Sequence, residues 1–316
     1  GLNRHGINGG FEYNNEKIVS NKVLGNHRNS KMISSFIQDE FSFNDKWTLL
    51  SGIRYDQHSI YGSHASPKIS IMFKPEMISR IRLSYGQGFR SPSFKELYYT
   101  HSNITVGYNI KGNESLRPET SHTVHLDIER WHTQKYHARV NVFYNQIKDM
   151  IEFKYDAMID GITTYSMANL SRAWTKGMEL DFTYFIFENT ELWLGYALLD
   201  SWDEEQEKNL SMKAKHKANG GIRYTFNNGV KTNMRFQYMG KRFYWDDTAA
   251  GVAQGQTWID NYTIINGHVS FPLPRNIRGY VGVKNLTDTV DPKWGPMPGR
   301  EWYAGLRIDL FESFKE

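Results

Sequence analysis

The chain has 316 residues, no cysteine and a formal net charge of +4, with 39% hydrophobic and 15% aromatic residues. No run approaches the roughly 20 consecutive apolar residues of a membrane helix, which excludes a helical membrane protein, and the basic residues are too few and too dispersed to call for nucleic acid. A mean hydropathy of −0.61 leaves two classes standing: an aromatic-rich soluble β-protein, or a membrane β-barrel, whose alternating strands hide their lipid face from any average.

The chain opens Gly1-Leu2-Asn3, without an initiator Met or signal peptide, and Ile7, Gly9, Phe11 and Tyr13 already alternate, so it reads as a piece of a longer exported protein. Fourteen strand candidates follow, at 6–13, 30–43, 46–56, 66–74, 79–89, 120–131, 136–153, 162–187, 190–202, 213–226, 230–243, 258–271, 276–286 and 300–311. Val124, Leu126 and Ile128 oppose Thr123, His125, Asp127 and Glu129; Met178, Leu180, Phe182, Tyr184 and Ile186 oppose Glu179, Asp181 and Thr183. Val230, Thr232, Met234, Phe236 and Tyr238 oppose Lys231, Asn233, Arg235 and Gln237. The last strand sets Trp302, Ala304, Leu306, Ile308 and Leu310 against Tyr303, Gly305, Arg307 and Asp309, and Phe311 closes it. Each strand thus has one apolar and one polar face.

A sandwich and a barrel can both produce such faces; the connections separate them. Short ones (Asn44-Asp45, Pro75 to Ile78, His132 to Lys135, Glu188-Asn189, Asn227-Asn228-Gly229, Pro272 to Arg275) alternate with long ones at 14–29, 57–65, 90–119, 154–161, 203–212, 244–257 and 287–299. Asn-Asp, Asn-Gly and Pro-containing pairs suit tight hairpins. Short turns on one rim and long loops on the other is the arrangement of outer-membrane barrels. The run Ile162 to Phe187 is about twice the ~9–11 residues needed to cross a bilayer, so it should project beyond the membrane, with a bulge expected at Gly177.

Five segments, in order, resemble the TonB-dependent outer-membrane receptors, of the type found in Bacteroidota. They are Gly86-Gln87-Gly88-Phe89-Arg90-Ser91-Pro92-Ser93-Phe94-Lys95-Glu96-Leu97-Tyr98, Gly112-Asn113-Glu114-Ser115-Leu116-Arg117-Pro118-Glu119-Thr120-Ser121, Lys176-Gly177-Met178-Glu179-Leu180, Val283-Lys284-Asn285-Leu286-Thr287-Asp288 and Pro298-Gly299-Arg300-Glu301-Trp302-Tyr303. The resemblance implies an all-β, antiparallel transmembrane barrel of 22 strands around a plugged lumen. Residues 1–316 would supply its last fourteen or so strands, the plug and the first eight lying outside this chain, so that this piece alone would not close a pore and the edge at Ile7 to Tyr13 would be a product of truncation. It also implies the outer membrane of a Gram-negative bacterium, contact with outer-membrane lipid, import of a scarce metal chelate energised by TonB–ExbB–ExbD through the missing N-terminal part, and no prosthetic group. A surface lipoprotein partner is a further option.

The loop 90–119 lies between the two fullest motifs and holds Tyr98, Tyr99, His101, Tyr108 and Asn109. Haem-importing family members are similar, with a histidine between two such elements; here these read Phe89-Arg90-Ser91-Pro92 and Asn113-Glu114-Ser115-Leu116, followed by Pro118 and Glu119. The resemblance makes His101 the candidate axial ligand of haem iron. Cobalamin and ferric-siderophore receptors carry similar flanking motifs, and the proline expected after Asn113 is absent, so all three ligands stay open. Asp203-Glu204-Glu205-Glu207 reads as a Ca²⁺ site or a solvated charge run; Phe243-Tyr244-Trp245-Asp246-Asp247 with Trp258 as a ligand wall or an interfacial girdle; His58 and His64 as a metal pair or as loop histidines. Arg82, Arg235, Arg307, Asp181 and Glu179 are expected to line the lumen, for wall hydrogen bonding and plug docking.

No Gly-x-Ser-x-Gly, His-Glu-x-x-His or P-loop is present, so an enzyme is not expected. The competing readings are a glycan importer of the same superfamily, which carries longer insertions, and a passive porin or adhesin. A plug of roughly 100–150 residues upstream would decide between transport and the last two.

Overall fold

Alternation of apolar and polar residues builds nearly the whole molecule. The computed structural model describes residues 4–308 apart from 106, 133–134, 206, 247–254 and 294. Its elements are β1 (His5–Val19), β2 (His27–Ser42), β3 (Trp47–His58), β4 (Gly62–Phe73), β5 (Ser79–Arg90), α1 (Phe94–Tyr98), β6 (Thr100–Asn103), β7 (Tyr108–Lys111), β8 (Glu119–His132), β9 (Tyr136–Ile159), β10 (Ile162–Phe187), β11 (Thr190–Asp203), β12 (His216–Thr225), β13 (Lys231–Met239), β14 (Arg242–Asp246), β15 (Gly255–Ile259), β16 (Tyr262–Leu273), β17 (Ile277–Lys284) and β18 (Glu301–Ile308).

One antiparallel sheet runs β1-β2-β3-β4-β5-β8-β9-β10-β11-β12-β13-β16-β17-β18, and these strands correspond one to one with the fourteen expected from sequence. Hairpin β6–β7 lies off this path, with β7 running parallel to the start of β10; β14–β15 is a separate hairpin. Among the described residues β1 pairs only with β2, and β18 only with β17.

Register fixes the faces. Rungs such as Leu126–Val142 and Val142–Met178 join apolar residues into one band. The other face carries Asp127, Arg139, Glu179 and Asp181, and by register also Arg82, Arg235 and Arg307, as expected. On this face Arg139 binds Asp127 at 2.7 Å and His137 lies 3.0 Å from Glu129. On β18, Leu306 is 66% exposed on the apolar face, as a lipid-facing side chain should be; Asp309, Leu310 and Phe311 lie outside the described residues.

Four expectations are corrected. The loops placed at 57–65 and 154–161 shrink to tight turns at 59–61 and 160–161, and the loop at 14–29 shrinks to 20–26, because the strands carry on pairing beyond the apolar band. Their extensions mix polar residues with apolar ones such as Ile18, Val19 and Met158 without alternation, which reads as loop in sequence but is normal for strand that has left the bilayer. The candidate 230–243 breaks after Met239, its remainder joining β14, and residues 255–259 of the candidate 258–271 belong to β15. Loop 90–119 contains a short helix and a hairpin. Gly177 is not a bulge: it stays in register with both Leu199 and Phe143, and the irregularities of β10 fall at Thr164/Tyr165 and Phe185/Phe187. Glycine is required there because a Cβ would strike the Leu198 carbonyl oxygen and lie 2.9 Å from the Phe143 ring.

Candidate functional site: the loop between β5 and β8

The residues from Arg90 to Glu119 form a tied structure rather than an open loop. Ser93 caps α1: its Oγ accepts from the Glu96 N–H at 3.3 Å, and the Glu96 carboxylate accepts from the Ser93 N–H at 2.7 Å. Arg90 donates to both Glu96 oxygens at 3.0 Å and grips Glu119 through Nε and Nη2, at 2.6 and 2.7 Å. Glu119 in turn accepts from the Ile151 N–H of β9 at 2.7 Å.

The second motif fastens the loop to β9 and β10. Asn113 Nδ2 donates to the Met167 carbonyl at 2.9 Å. Asn169 accepts from the Arg117 N–H at 2.8 Å and donates to the Arg117 and Asp149 carbonyls at 2.9 and 2.7 Å. Arg117 Nε donates to Asp149 Oδ1 at 2.9 Å. Leu97 and Leu116 pack on Ile151 and Met167, with Tyr61 and Tyr98 at the margin. Ile151 and Met167 share strand parity with Arg139 and Asp181, so the loop folds over the polar side of the sheet. The sequence-selected motif residues are therefore mostly brackets: Arg90, Asn113, Leu116 and Glu119 bind the loop together, Pro92 is buried, Ser91 and Pro118 are half-buried, and Phe89 stacks on His64 at 3.8 Å.

These brackets present hairpin β6–β7. Half-buried His101 lies 5.9 Å from Tyr99 in a stacked arrangement and 6.1 Å from Tyr108 edge-on. Neither of its ring nitrogens has a hydrogen-bond partner among the described residues. Tyr98 and Asn109 do not join this group. Tyr98 packs at the Leu97 cluster, with Arg28 4.4 Å above its ring. Asn109 pairs with Ser102, one residue out of step with His101 and Tyr108, so it occupies the hairpin's other face, where its Oδ1 is buried without a partner. Lys95 lies 5.8 Å from the Tyr99 ring.

Sequence reasoning overlooked Asp149, Asn169, Arg28 and Tyr61, because their partners are tens of residues away; the capping box Ser93-Phe94-Lys95-Glu96 was readable. Other candidates resolve differently. His58 Nδ1 accepts from the Ile60 and Tyr61 N–H groups at 3.1 and 3.3 Å, and His64 contacts the Tyr61 carbonyl at 3.1 Å, so both histidines serve the turn. Asp203 is buried and accepts from the Glu205 N–H at 2.9 Å, Glu204 pairs with Arg172, and among the described residues no group of three or more His, Asp or Glu is placed to hold a metal ion. Phe243 packs edge-on against Trp258 at 5.5 Å in the β14–β15 hairpin; Asp247 lies outside the described residues. A hollow of about 550 Å³ opens on the polar face over Gly195, bordered by Glu179, Asp181, Lys217 and Asn219.

A family model described as TonB dependent receptor-like, beta-barrel, matches residues 2–286. The chain belongs to this family. Barrels of TonB-dependent receptors are proteins of the Gram-negative outer membrane, and the loop rim of the sheet is accordingly its outer rim. Among curated relatives, the iron-regulated outer membrane virulence protein of Vibrio cholerae is 25% identical over 97% of this chain and 49% of its own length. The ferrienterobactin receptor of Escherichia coli is 23% identical over 85% of this chain and 38% of that receptor. The crystal structure of the siderophore receptor PirA from Acinetobacter baumannii matches with a TM-score of 0.77 at 19% identity, over 96% of this chain and 52% of that one. Other matches are named for haem and for vitamin B12. The TonB-dependent receptor chain thus spans about half the length of the relatives it matches.

Proposed function

We propose that the complete protein is an outer-membrane receptor that captures an iron chelate outside the cell and imports it with TonB-coupled energy, this chain supplying the C-terminal part of the barrel. A plug and the first strands would lie in the other half, and TonB–ExbB–ExbD would act through that half. Hairpin β6–β7 is the proposed chelate contact, and haem the first ligand to test. The observation that carries this reading is His101, held between Tyr99 and Tyr108 with its ring nitrogens uncommitted: an imidazole so placed can ligate haem iron while the phenol rings flank the macrocycle.

A ferric siderophore is the second reading. It is favoured by Lys95 and Arg28 over Tyr99 and Tyr98, which offer positive charge and aromatic faces to an anionic chelate, and by relatives named for enterobactin and siderophores. The test is a titration of purified full-length receptor with haemin, with ferric enterobactin and with cobalamin. Haem binding predicts a Soret shift that His101→Ala abolishes. Tight binding of the siderophore or of cobalamin, with no haemin shift, would sink the haem reading and leave the receptor reading intact; binding of none of the three would sink both.

A further inference from the structure

The outer part of β9 and β10 carries a cationic group on the apolar, lipid-side face. By strand parity Lys148, Arg172, Trp174 and Lys176 share the face of Val142 and Met178. Lys148 and Arg172 are direct rung partners. Like charges directly opposite on a ladder repel unless an anion lies between them. Arg172 and Lys176 reach carboxylates only at 3.5 Å (Glu204) and 3.8 Å (Asp200), and each keeps 53% of its side chain exposed. Lys148 is exposed and has no ion-pair partner among the described residues.

The height of this group follows from the aromatic residues around it. Lys176 Nζ lies 4.5 Å over the Trp174 ring, which stacks on Tyr144 at 6.5 Å. To one side, on the same face, the Tyr85 hydroxyl meets His122 at 2.8 Å; to the other, the Tyr196 hydroxyl meets His216 at 2.7 Å. These rings cap the apolar band with their polar ends bonded, which marks the outer membrane–water boundary. Lys148 and Arg172 stand two side chains above Tyr144 and Lys176, outside the hydrocarbon, at the level where lipid headgroups lie.

We propose that Lys148, Arg172 and Lys176 form a seat for the phosphate groups of a phosphorylated outer-leaflet lipid, with Trp174 and Tyr144 against its acyl base. The seat is separate from the chelate site, because loop 91–118 covers the opposite face of the same strands.

The experiment uses the full-length receptor in a neutral detergent. It is titrated with phosphatidic acid and with phosphatidylcholine, and bound lipid is counted by native mass spectrometry. The wild type should prefer phosphatidic acid by at least about tenfold, as expected for several cations near one headgroup. The triple variant Lys148→Gln, Arg172→Gln, Lys176→Gln should lose that preference, and Lys46→Gln, on the opposite rim, should keep it. If the triple variant does not fold, Lys148→Gln alone is read: a several-fold drop supports the seat and an unchanged preference overturns it. Equal preference in wild type and variant overturns the proposal, as does full competition by inorganic phosphate, which would make the site one for free anions.

Discussion

Arg90 and Glu119 face each other across the outer ends of β5 and β8, joined by two parallel hydrogen bonds of 2.6 and 2.7 Å. The planar guanidinium matches the carboxylate fork, so the pair sets direction as well as attraction. Both residues belong to segments that resemble the family's, and both ends of the loop pass through them. Arg90→Ala should therefore free α1 and Glu119 together. Charge-assisted bonds are worth about 1.5–3 kcal/mol, less here because Arg90 is about half-exposed, so the loop should lose about 1–2 kcal/mol of attachment. Limited proteolysis should then cut residues 91–118 faster, with the barrel's heat-dependent gel shift almost unmoved. The swap Arg90→Glu with Glu119→Arg should recover part of the protection; no gain over either single variant would argue against pairing as the cause.

Gly112 fixes the return of the loop under α1. A Cβ there would lie 2.6 Å from the Leu97 carbonyl carbon and 2.7 Å from the Tyr98 nitrogen, both backbone atoms that cannot step aside. Gly112→Ala should cost about 1–3 kcal/mol of local overpacking and displace the helix. Tryptic cleavage at Lys95 is the readout. A variant as resistant as wild type would mean that the loop has more slack than this contact allows.

Asn285 lies in another of the segments that resemble the family's. It is buried with φ 50°, its Nδ2 donates to the Thr289 and Pro298 carbonyls at 2.8 and 3.1 Å, and its Oδ1 accepts from the Thr289 N–H and the Thr287 hydroxyl at 3.1 and 3.0 Å. Asn285→Ala leaves three groups seeking partners, the Thr289 N–H and the Thr289 and Pro298 carbonyls, while the Thr287 hydroxyl keeps the Thr263 carbonyl at 2.9 Å, and should destabilise the β17–β18 connection by about 2–3 kcal/mol. Asn285→Asp keeps the acceptor but sets a buried carboxylate oxygen against the Thr289 and Pro298 carbonyls, so it should destabilise at least as much as Ala. Thermal midpoints of the folded gel band rank the three proteins, and an Asp variant as stable as wild type contradicts the bonding.

Strand existence was legible because alternation is a local property: each of Val124 to Glu129 announces its face through its immediate neighbours. Strand ends were less so. The extensions through Val19 and Ile159 pair above the membrane, where neither face needs to be apolar, so the period fades while the ladder continues. The motifs drew attention to loop 90–119 but gave no hint of its architecture. Arg117 finds Asp149 and Asn169 across 32 and 52 residues, separations that no window of sequence reveals. Asn109 and His101 seem companions in sequence; the two-residue repeat of a hairpin puts them on opposite faces.

Tyr61 offers a test by pH. It sits in the turn between β3 and β4 and packs against the Leu97 cluster, and burial, then the neighbouring Tyr98 and Glu96, push its phenol up to about 12. The raised value means that the folded state holds its proton longer than the unfolded one, whose phenol ionises near 10. Below pH 10 both states are protonated and the full contribution of Tyr61 is present. Between pH 10 and about 12 only the unfolded or detached state ionises, so attachment weakens, and the contribution is lost above that window. The ideal slope is about 1.4 kcal/mol per pH unit, and the partial exposure of Tyr61 reduces the total to about 1–2 kcal/mol. Tyr61→Phe keeps the packing and removes the proton. Protease susceptibility of residues 91–118 should climb through this window in wild type and climb less in the variant, the difference isolating Tyr61 from the other tyrosines. Superimposable pH curves would show that the Tyr61 phenol does not govern how the loop is held.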